Sequence, residues 1–471
     1  MMGALILQDS FVFIAFLTMG VLYILRVGKK YGFGLYAKSF LILYAICSYS
    51  SYNIMVKPIH DYNLSVPRTF IYHFKLVGPL APVDVIFLGL LFVITLKKLS
   101  GKTLLLYKID SVASIFVKYI LLQALFLGTI STIGFFSYMK NGGVGALNDQ
   151  LIIFRGVIYF FVLIYFFQKA IADFKHMGFI NVLLMFCIID FINFSSGFIA
   201  SFIYHDYVWQ RYGVRITIID QDKIYNCFTM YALLVTSYLF LKPLKKLSVY
   251  FTIMIVGIFM FLNMYKFLFM IAVLYIIYEF IINAFRGKIA IIKFSIIVTA
   301  GIALVSVILM LSTSKAMNTR SSQLSDYWEY TGSSFPASVF GIGYGGKFYS
   351  PSDTDDMGEV KEVDLQSGVA NYRKNVQTPL ITNIKTGGTL GLGVAIGFAF
   401  FALLYVMRLN IKMPINALSN AICFNIIWLM ASTSVLLQAY IMPVMTMIKL
   451  LILLSVFLGT EEVKKFNLMK N

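Results

Sequence analysis

Charge is scarce in this chain: Asp, Glu, Lys and Arg make up only 13% of its 471 residues, about half the share of an ordinary soluble domain. Acids are the scarcer sign, with 21 Asp and Glu against 39 Lys and Arg. Cysteine is rare too, and Cys47, Cys187, Cys227 and Cys423 lie in or beside apolar runs with no CxxC or paired spacing. That excludes a disulfide scaffold and a zinc ribbon, and the four read as buried apolar side chains. His60, His73, His176 and His205 are scattered, without HxxxH or His-carboxylate spacing, so no zinc enzyme motif is present. A Gly-x-Ser-x-Gly nucleophile elbow is also missing. No Lys or Arg occurs from Met1 to Ser10, while Gln8 and Asp9 do. A cleavable signal peptide needs a basic leading region, so the N-terminus is expected to be retained.

What fills the chain instead is hydrocarbon. Hydrophobic residues reach 59% and aromatics 16%, and the mean hydropathy is +0.83. No single water-soluble core can hide so much apolar surface, and about twenty consecutive apolar residues cross a bilayer. The expected class is an all-α polytopic membrane protein, with no role in nucleic-acid binding. Spans are expected at about 11–25, 35–52, 79–96, 110–133, 151–167, 178–203, 224–241, 247–262, 266–284, 289–311, 388–407, 415–433 and 441–458, which makes about 13 transmembrane helices.

The basic excess explains itself once these spans are drawn. Arg26, Lys29, Lys30 and Lys38, then Lys97, Lys98, Lys102 and Lys108, then Lys169 and Lys175, then Lys242, Lys245 and Lys246 fall on alternate connections. Arg286, Lys288 and Lys293, then Arg408 and Lys412, then Lys464, Lys465 and Lys470 continue the series. By the positive-inside rule that side is the cytoplasm, leaving the N-terminus outside and the C-terminus inside. The chain thus divides into ten spans over 1–311, a large external loop over 312–386, and three spans with a cytoplasmic tail over 387–471. No internal repeat with matching broken helices is visible, which speaks against an inverted-repeat transporter.

The external loop of 312–386 is rich in Gly, Ser, Asp, Lys and Tyr and far longer than a connection requires. Its apolar spacing predicts a short amphipathic helix over 319–330, with Leu324 and Trp328 toward the membrane or the bundle. Arg320, Gln323, Asp326 and Glu329 share or flank the opposite face. After Pro336 comes Phe340-Gly341-Ile342-Gly343-Tyr344-Gly345-Gly346, which lacks the surrounding strand and helix of a nucleotide fingerprint. Close backbone approach to another element or a ligand accounts better for its glycines. The chain then re-enters the membrane through Gly387-Gly388-Thr389-Leu390-Gly391-Leu392-Gly393.

This order of features resembles the O-antigen polymerase and O-antigen ligase superfamily of bacterial inner-membrane glycosyltransferases. The resemblance rests on the span pattern and on the region from about 263 to 393. It implies a basic residue at the head of the helix following the turn near Asn263, where Asn263-Met264-Tyr265-Lys266 offers Lys266. The ligase branch carries a His before the Gly-rich helix. Here Gln377-Thr378-Pro379-Leu380-Ile381-Thr382-Asn383 has none, which favours the polymerase branch. The implied partners are a polyprenyl-pyrophosphate-linked glycan donor and acceptor, such as undecaprenyl pyrophosphate carriers, in the bilayer of the bacterial inner membrane. A chain-length regulator is left open, and no cofactor is implied.

Such a donor leaves as a pyrophosphate at the outer membrane face, and Arg and Lys are the side chains that stabilise it. Arg320 is the first candidate, with Lys266 and the pair Arg211 and Arg215 as further pyrophosphate ligands. The acceptor hydroxyl needs a base, for which Asp326, Glu329, Asp222 and Asp220 remain candidates. Asp220-Gln221-Asp222 and Asp353-Thr354-Asp355 are DxD patterns, but such short patterns arise by chance and no metal is assigned. Within the spans, Arg155 and Lys118 are expected to snorkel, and Asp84 lies near a span end. Asp190 with Asn193 and Gly197 forms a polar stripe that either lines a cavity or pairs with another span. A lipid-linked oligosaccharide flippase, an O-antigen ligase, or a transferase of single sugars from a polyprenyl phosphate are the competing readings.

Overall fold

The computed structural model describes residues 2–48, 76–77, 80–100, 111–178, 314–351, 372–373 and 379–412, with isolated helical positions at 181–203, 278–299 and 423–427. These residues are mostly helical. In chain order they form α1 (Met2–Lys30), α2 (Leu35–Ser48), α3 (Pro82–Leu99), α4 (Ser111–Lys140), β1 (Val144–Gly145), α5 (Leu147–Leu151) and α6 (Arg155–Met177). A 3-10 turn over Ile152–Phe154 joins the last two. The loop supplies α7 (Ser314–Tyr327), a π-turn (Trp328–Gly332), α8 (Ala337–Phe340), β2 (Gly346–Tyr349) and β3 (Tyr372–Arg373), and the chain returns through α9 (Pro379–Lys412).

Four stretches are long and apolar enough to cross a membrane: Ala4–Lys30, Ser114–Lys140, Leu147–Met177 and Thr382–Asn410. Their outer surfaces carry large apolar side chains, Phe11 at 78% and Phe400 at 60% exposure among them. A surface of that kind suits hydrocarbon, whereas water would penalise it. The remaining expected spans, from 178–203 onward except 388–407, lie outside the described residues apart from the isolated positions.

Helix ends follow local chemistry. α1 finishes on Lys29 and Lys30, which complement the negative end of its dipole. Its last carbonyls are then closed by Phe33 N–H donating to Gly28 O at 2.7 Å and Gly32 N–H to Lys29 O at 3.4 Å, the paired bonds of a Schellman motif. Phe33 is thereby buried edge-on against Phe174, at 5.7 Å and 89°. Gly34 N–H donates to Asp173 Oδ2 at 2.9 Å, tying this turn to α6.

Two groups of helices result. In one, α2 packs on α6 through Phe40, Phe167 and Phe174, and α3 packs on α6 through Phe87 and Tyr159, whose rings lie 4.1 Å apart. In the other, α4 packs along α9: Tyr119 stacks edge-on against Phe398 at 5.1 Å and donates its hydroxyl to Phe398 O at 2.7 Å. Ala124, Leu127, Ile153 and Ala395 form a small core where α4, the 3-10 turn and α9 meet.

Two helices outrun their apolar segments. α4 was expected to stop near 133 and continues to Lys140; α9 was expected from 388 and starts at Pro379. In α9 the added turns carry Thr382, Asn383, Lys385 and Thr386, all buried beside the loop. In α4 they are largely aromatic, with Gly134 and Phe135 meeting the glycine-rich turn, Tyr138 donating its hydroxyl to Lys347 O at 2.8 Å, and Phe136 left 56% exposed. The loop also contributes what an all-helical expectation omits, a three-stranded antiparallel sheet in the order β1-β2-β3. Its register pairs Val144 with Lys347, Gly145 with Gly346, Phe348 with Arg373 and Tyr349 with Tyr372. Strand β1 belongs to the connection that follows α4, so this connection and the large loop share one sheet at one end of α4.

Candidate functional site

The loop is joined to the bundle by contacts that leave no room for side chains. Gly341 has φ of +71° and Gly388, inside α9, has φ of +62°. At Gly388 the helix kinks, and the main chain of Val339 to Gly341 lodges in the kink. A Cβ at Gly341 would lie 2.6 Å from Lys385 O and 2.7 Å from the amide nitrogens of Gly387 and Gly388. Ile342 N–H donates to Lys385 O at 2.8 Å, and Thr389 Oγ1 donates to Ser338 O at 3.0 Å. On the opposite flank the Phe340 carbonyl presses on Gly134 of α4. The glycine-rich turn is therefore a backbone joint wedged between α4 and α9, as its composition suggested.

Beneath the turn lies a set of buried polar groups. Gln150, 1% exposed, accepts Gly345 N–H at 3.0 Å and donates through Nε2 to Ser131 Oγ at 3.2 Å. Ser131 Oγ in turn accepts Tyr344 N–H at 3.2 Å. Lys385, 2% exposed, donates through Nζ to Tyr344 O at 2.9 Å, with the Tyr344 ring 5.8 Å away. Buried donors and acceptors must be paired, so these bonds specify one docked position for the turn.

Along α7 and the π-turn the polar residues divide between the interior and the surface. Gln323 and Asp326 are buried, and Asp326 Oδ2 accepts Ser350 Oγ at 2.6 Å. Trp328 is 44% exposed and Glu329 lies at the surface. Tyr327 is buried edge-on against Phe348 at 5.4 Å, in a core with Ala337 and Ile342. Burial, with a smaller contribution from nearby Tyr138, pushes the Tyr327 phenol far above its ordinary range. It therefore stays a neutral donor, reaching Ile384 O at 3.4 Å. Beside it in the chain, the Glu329 carboxylate raises the exposed Tyr330 phenol. Arg320 belongs to α7, so Arg320, Asp326 and Glu329 sit on one continuous helical segment. Asp222, Asp220, Lys266, Arg211 and Arg215 lie outside the described residues, as do Asp190, Asp353 and Asp355.

A second polar cluster corrects the expectation for Arg155. Its guanidinium does not snorkel: Nη2 lies 2.5 Å from Asp84 Oδ2, with side chains 15% and 5% exposed. Asp84 also accepts the Tyr159 hydroxyl and the Ala81 N–H, the latter at 2.7 Å. Removing one member of such a pair strands the other charge. Asp84→Ala is expected to destabilise the protein by about 3–5 kcal/mol, measurable as a loss of thermal stability of the detergent-solubilised protein. Asp84→Asn, which keeps hydrogen-bond capacity, is expected to lose less.

Sequence reading missed Lys385, Arg373 and Gln150. Arg373, register partner of Phe348, is only 3% exposed. Lys385 precedes the re-entrant glycines and looked like loop because it interrupts an apolar run. Gln150 occupies a connection with no motif at all. Comparison of the chain with protein-family models, with curated proteins and with solved structures returns no match to any of them.

Proposed function

We propose that the chain is an O-antigen polymerase of the bacterial inner membrane, with about 13 transmembrane helices, a periplasmic N-terminus and loop, and a cytoplasmic C-terminus. The growing glycan on one polyprenyl pyrophosphate passes to the terminal sugar of a new lipid-linked repeat unit. The observation that carries this reading is the concentration of polar groups in one loop fixed to the end of an apolar bundle. A transporter would place them in a midplane cavity.

The reaction is an inverting displacement. The acceptor hydroxyl attacks the anomeric carbon of the donor's first sugar, the bond from that carbon to the pyrophosphate oxygen breaks, and polyprenyl pyrophosphate leaves. Arg320 stabilises the charge gathering on the pyrophosphate, assisted by Lys266, Arg211 and Arg215. The proton of the acceptor goes to a carboxylate. Surface exposure supports Glu329 in that role. Asp326, with its Ser350 bond, suits positioning of the segment, and Asp222 remains a further base candidate.

Deleting the gene in its source organism and running a lipopolysaccharide gel tests the reading. The expected result is a lipid core bearing a single repeat unit, because flipping and ligation survive. A core bearing none points to a flippase or ligase and overturns the assignment.

A further inference from the structure

One outward-facing row of side chains has no part in the chemistry above. Along β2, Gly346 and Phe348 point inward and are buried, while Lys347 and Tyr349 face outward. Tyr349 is in register with Tyr372 of β3, and their rings lie 5.9 Å apart at 65°. The row continues to Tyr330 of the π-turn, 5.2 Å from Tyr349 at 90° and 49% exposed. The inner side of the same sheet is packed through Phe348 and Tyr327, in a core to which these three phenols do not belong.

Near-perpendicular contacts hold the rings apart as a corrugated row, so none collapses onto its neighbour. Each ring offers an apolar surface with a hydroxyl at its rim. Glu329 adds an acceptor beside Tyr330 and Lys347 a cation on the strand, so the patch is close to neutral overall. A pyranose has the complementary form, with C–H groups across its face and hydroxyls around its edge. We infer that Tyr330, Tyr349 and Tyr372 form a glycan-binding strip, stacking successive sugars of the lipid-linked glycan as it is extended. A membrane surface is the poorer occupant, because Glu329 beside the row offsets Lys347 and leaves no net positive charge to attract anionic lipid. The inference rests on the polymerase reading only for which glycan is bound.

The test uses the full-length protein in nanodiscs of phosphatidylethanolamine and phosphatidylglycerol. The probe is the oligosaccharide released by mild acid from the source cells' polyprenyl-linked intermediates. Saturation-transfer NMR is expected to place the strongest contacts on pyranose C–H protons. Tyr349→Ala and Tyr372→Ala are expected to weaken binding about tenfold, and Tyr349→Phe much less. Tyr330→Ala, which removes an exposed ring outside the sheet, guards against a folding artefact and is expected to weaken binding as well. Absence of saturation transfer, or unchanged binding in all three alanine variants, overturns the strip. So does a lipid-dependent blue shift of Trp328 emission lost in these variants without change in glycan binding, which would mark a membrane anchor. A deletion strain that keeps normal polymer overturns the polymerase reading instead, and leaves the binding result standing.

Discussion

Replacing Arg320 by Ala is expected to abolish chain extension, by about 100- to 1,000-fold in transfer rate, with protein abundance unchanged. A guanidinium opposite a departing pyrophosphate contributes most where charge is greatest, in the transition state, so kcat falls more than substrate affinity. Lys at this position keeps the charge but loses the planar fork that grips two phosphate oxygens, and is expected to recover only part of the rate. The measurement is the ladder of chain lengths on a lipopolysaccharide gel, alongside an immunoblot of the membrane fraction. Full-length ladders in the alanine variant would remove Arg320 from the mechanism.

Gly341→Ala is the second change with a large expected effect. At φ of +71° and ψ of −167°, a region almost reserved for glycine, an alanine costs about 1–3 kcal/mol in backbone strain alone. Its methyl would also meet Lys385 O at 2.6 Å, a main-chain atom that cannot rotate away. The turn must leave its seat between α4 and α9, taking Gly345 off Gln150 and Tyr344 off Lys385. Polymer should disappear, and limited proteolysis of spheroplasts should cut the loop faster than in the unmodified protein. Gly393→Ala in α9 serves as the control. Nothing lies within 4 Å of a Cβ there, and alanine favours the helix, so wild-type ladders are expected. Faster cleavage with wild-type ladders in Gly341→Ala would show that docking of the turn is dispensable, and wild-type cleavage would show that the seat tolerates a methyl group.

Long apolar runs made the described spans legible, and the density of glycine in 341–346 signalled close approach before its partner was known. Where the sequence fell short, burial was the reason. Gln323, Asp326 and Lys385 are polar residues in a polar stretch, and nothing in their spacing separates a solvated face from one pressed into the bundle. Asp84 and Arg155 were each conspicuous as charges near span ends, yet they are 71 positions apart. A pair formed by packing leaves no mark in local spacing, so Arg155 read as a side chain reaching for water. The helix extensions at 134–140 and 379–387 were hidden for a related reason. Hydropathy finds the part of a helix that lies in hydrocarbon; the α9 extension is polar and covered by the loop, and in α4 the glycine, serine and lysine of 134–140 break the apolar run although the helix continues.

Because the seat of the turn is made by main-chain atoms meeting glycines and by the buried side chains of Gln150, Ser131 and Lys385 beneath it, it places little demand on the side chains carried above it. Outward residues such as Tyr330, Tyr349 and Tyr372 can change identity without disturbing how the loop is held. If the strip binds glycan as inferred, substitutions on that one surface would re-aim it at a different sugar, while the socket that grips the loop is inherited intact.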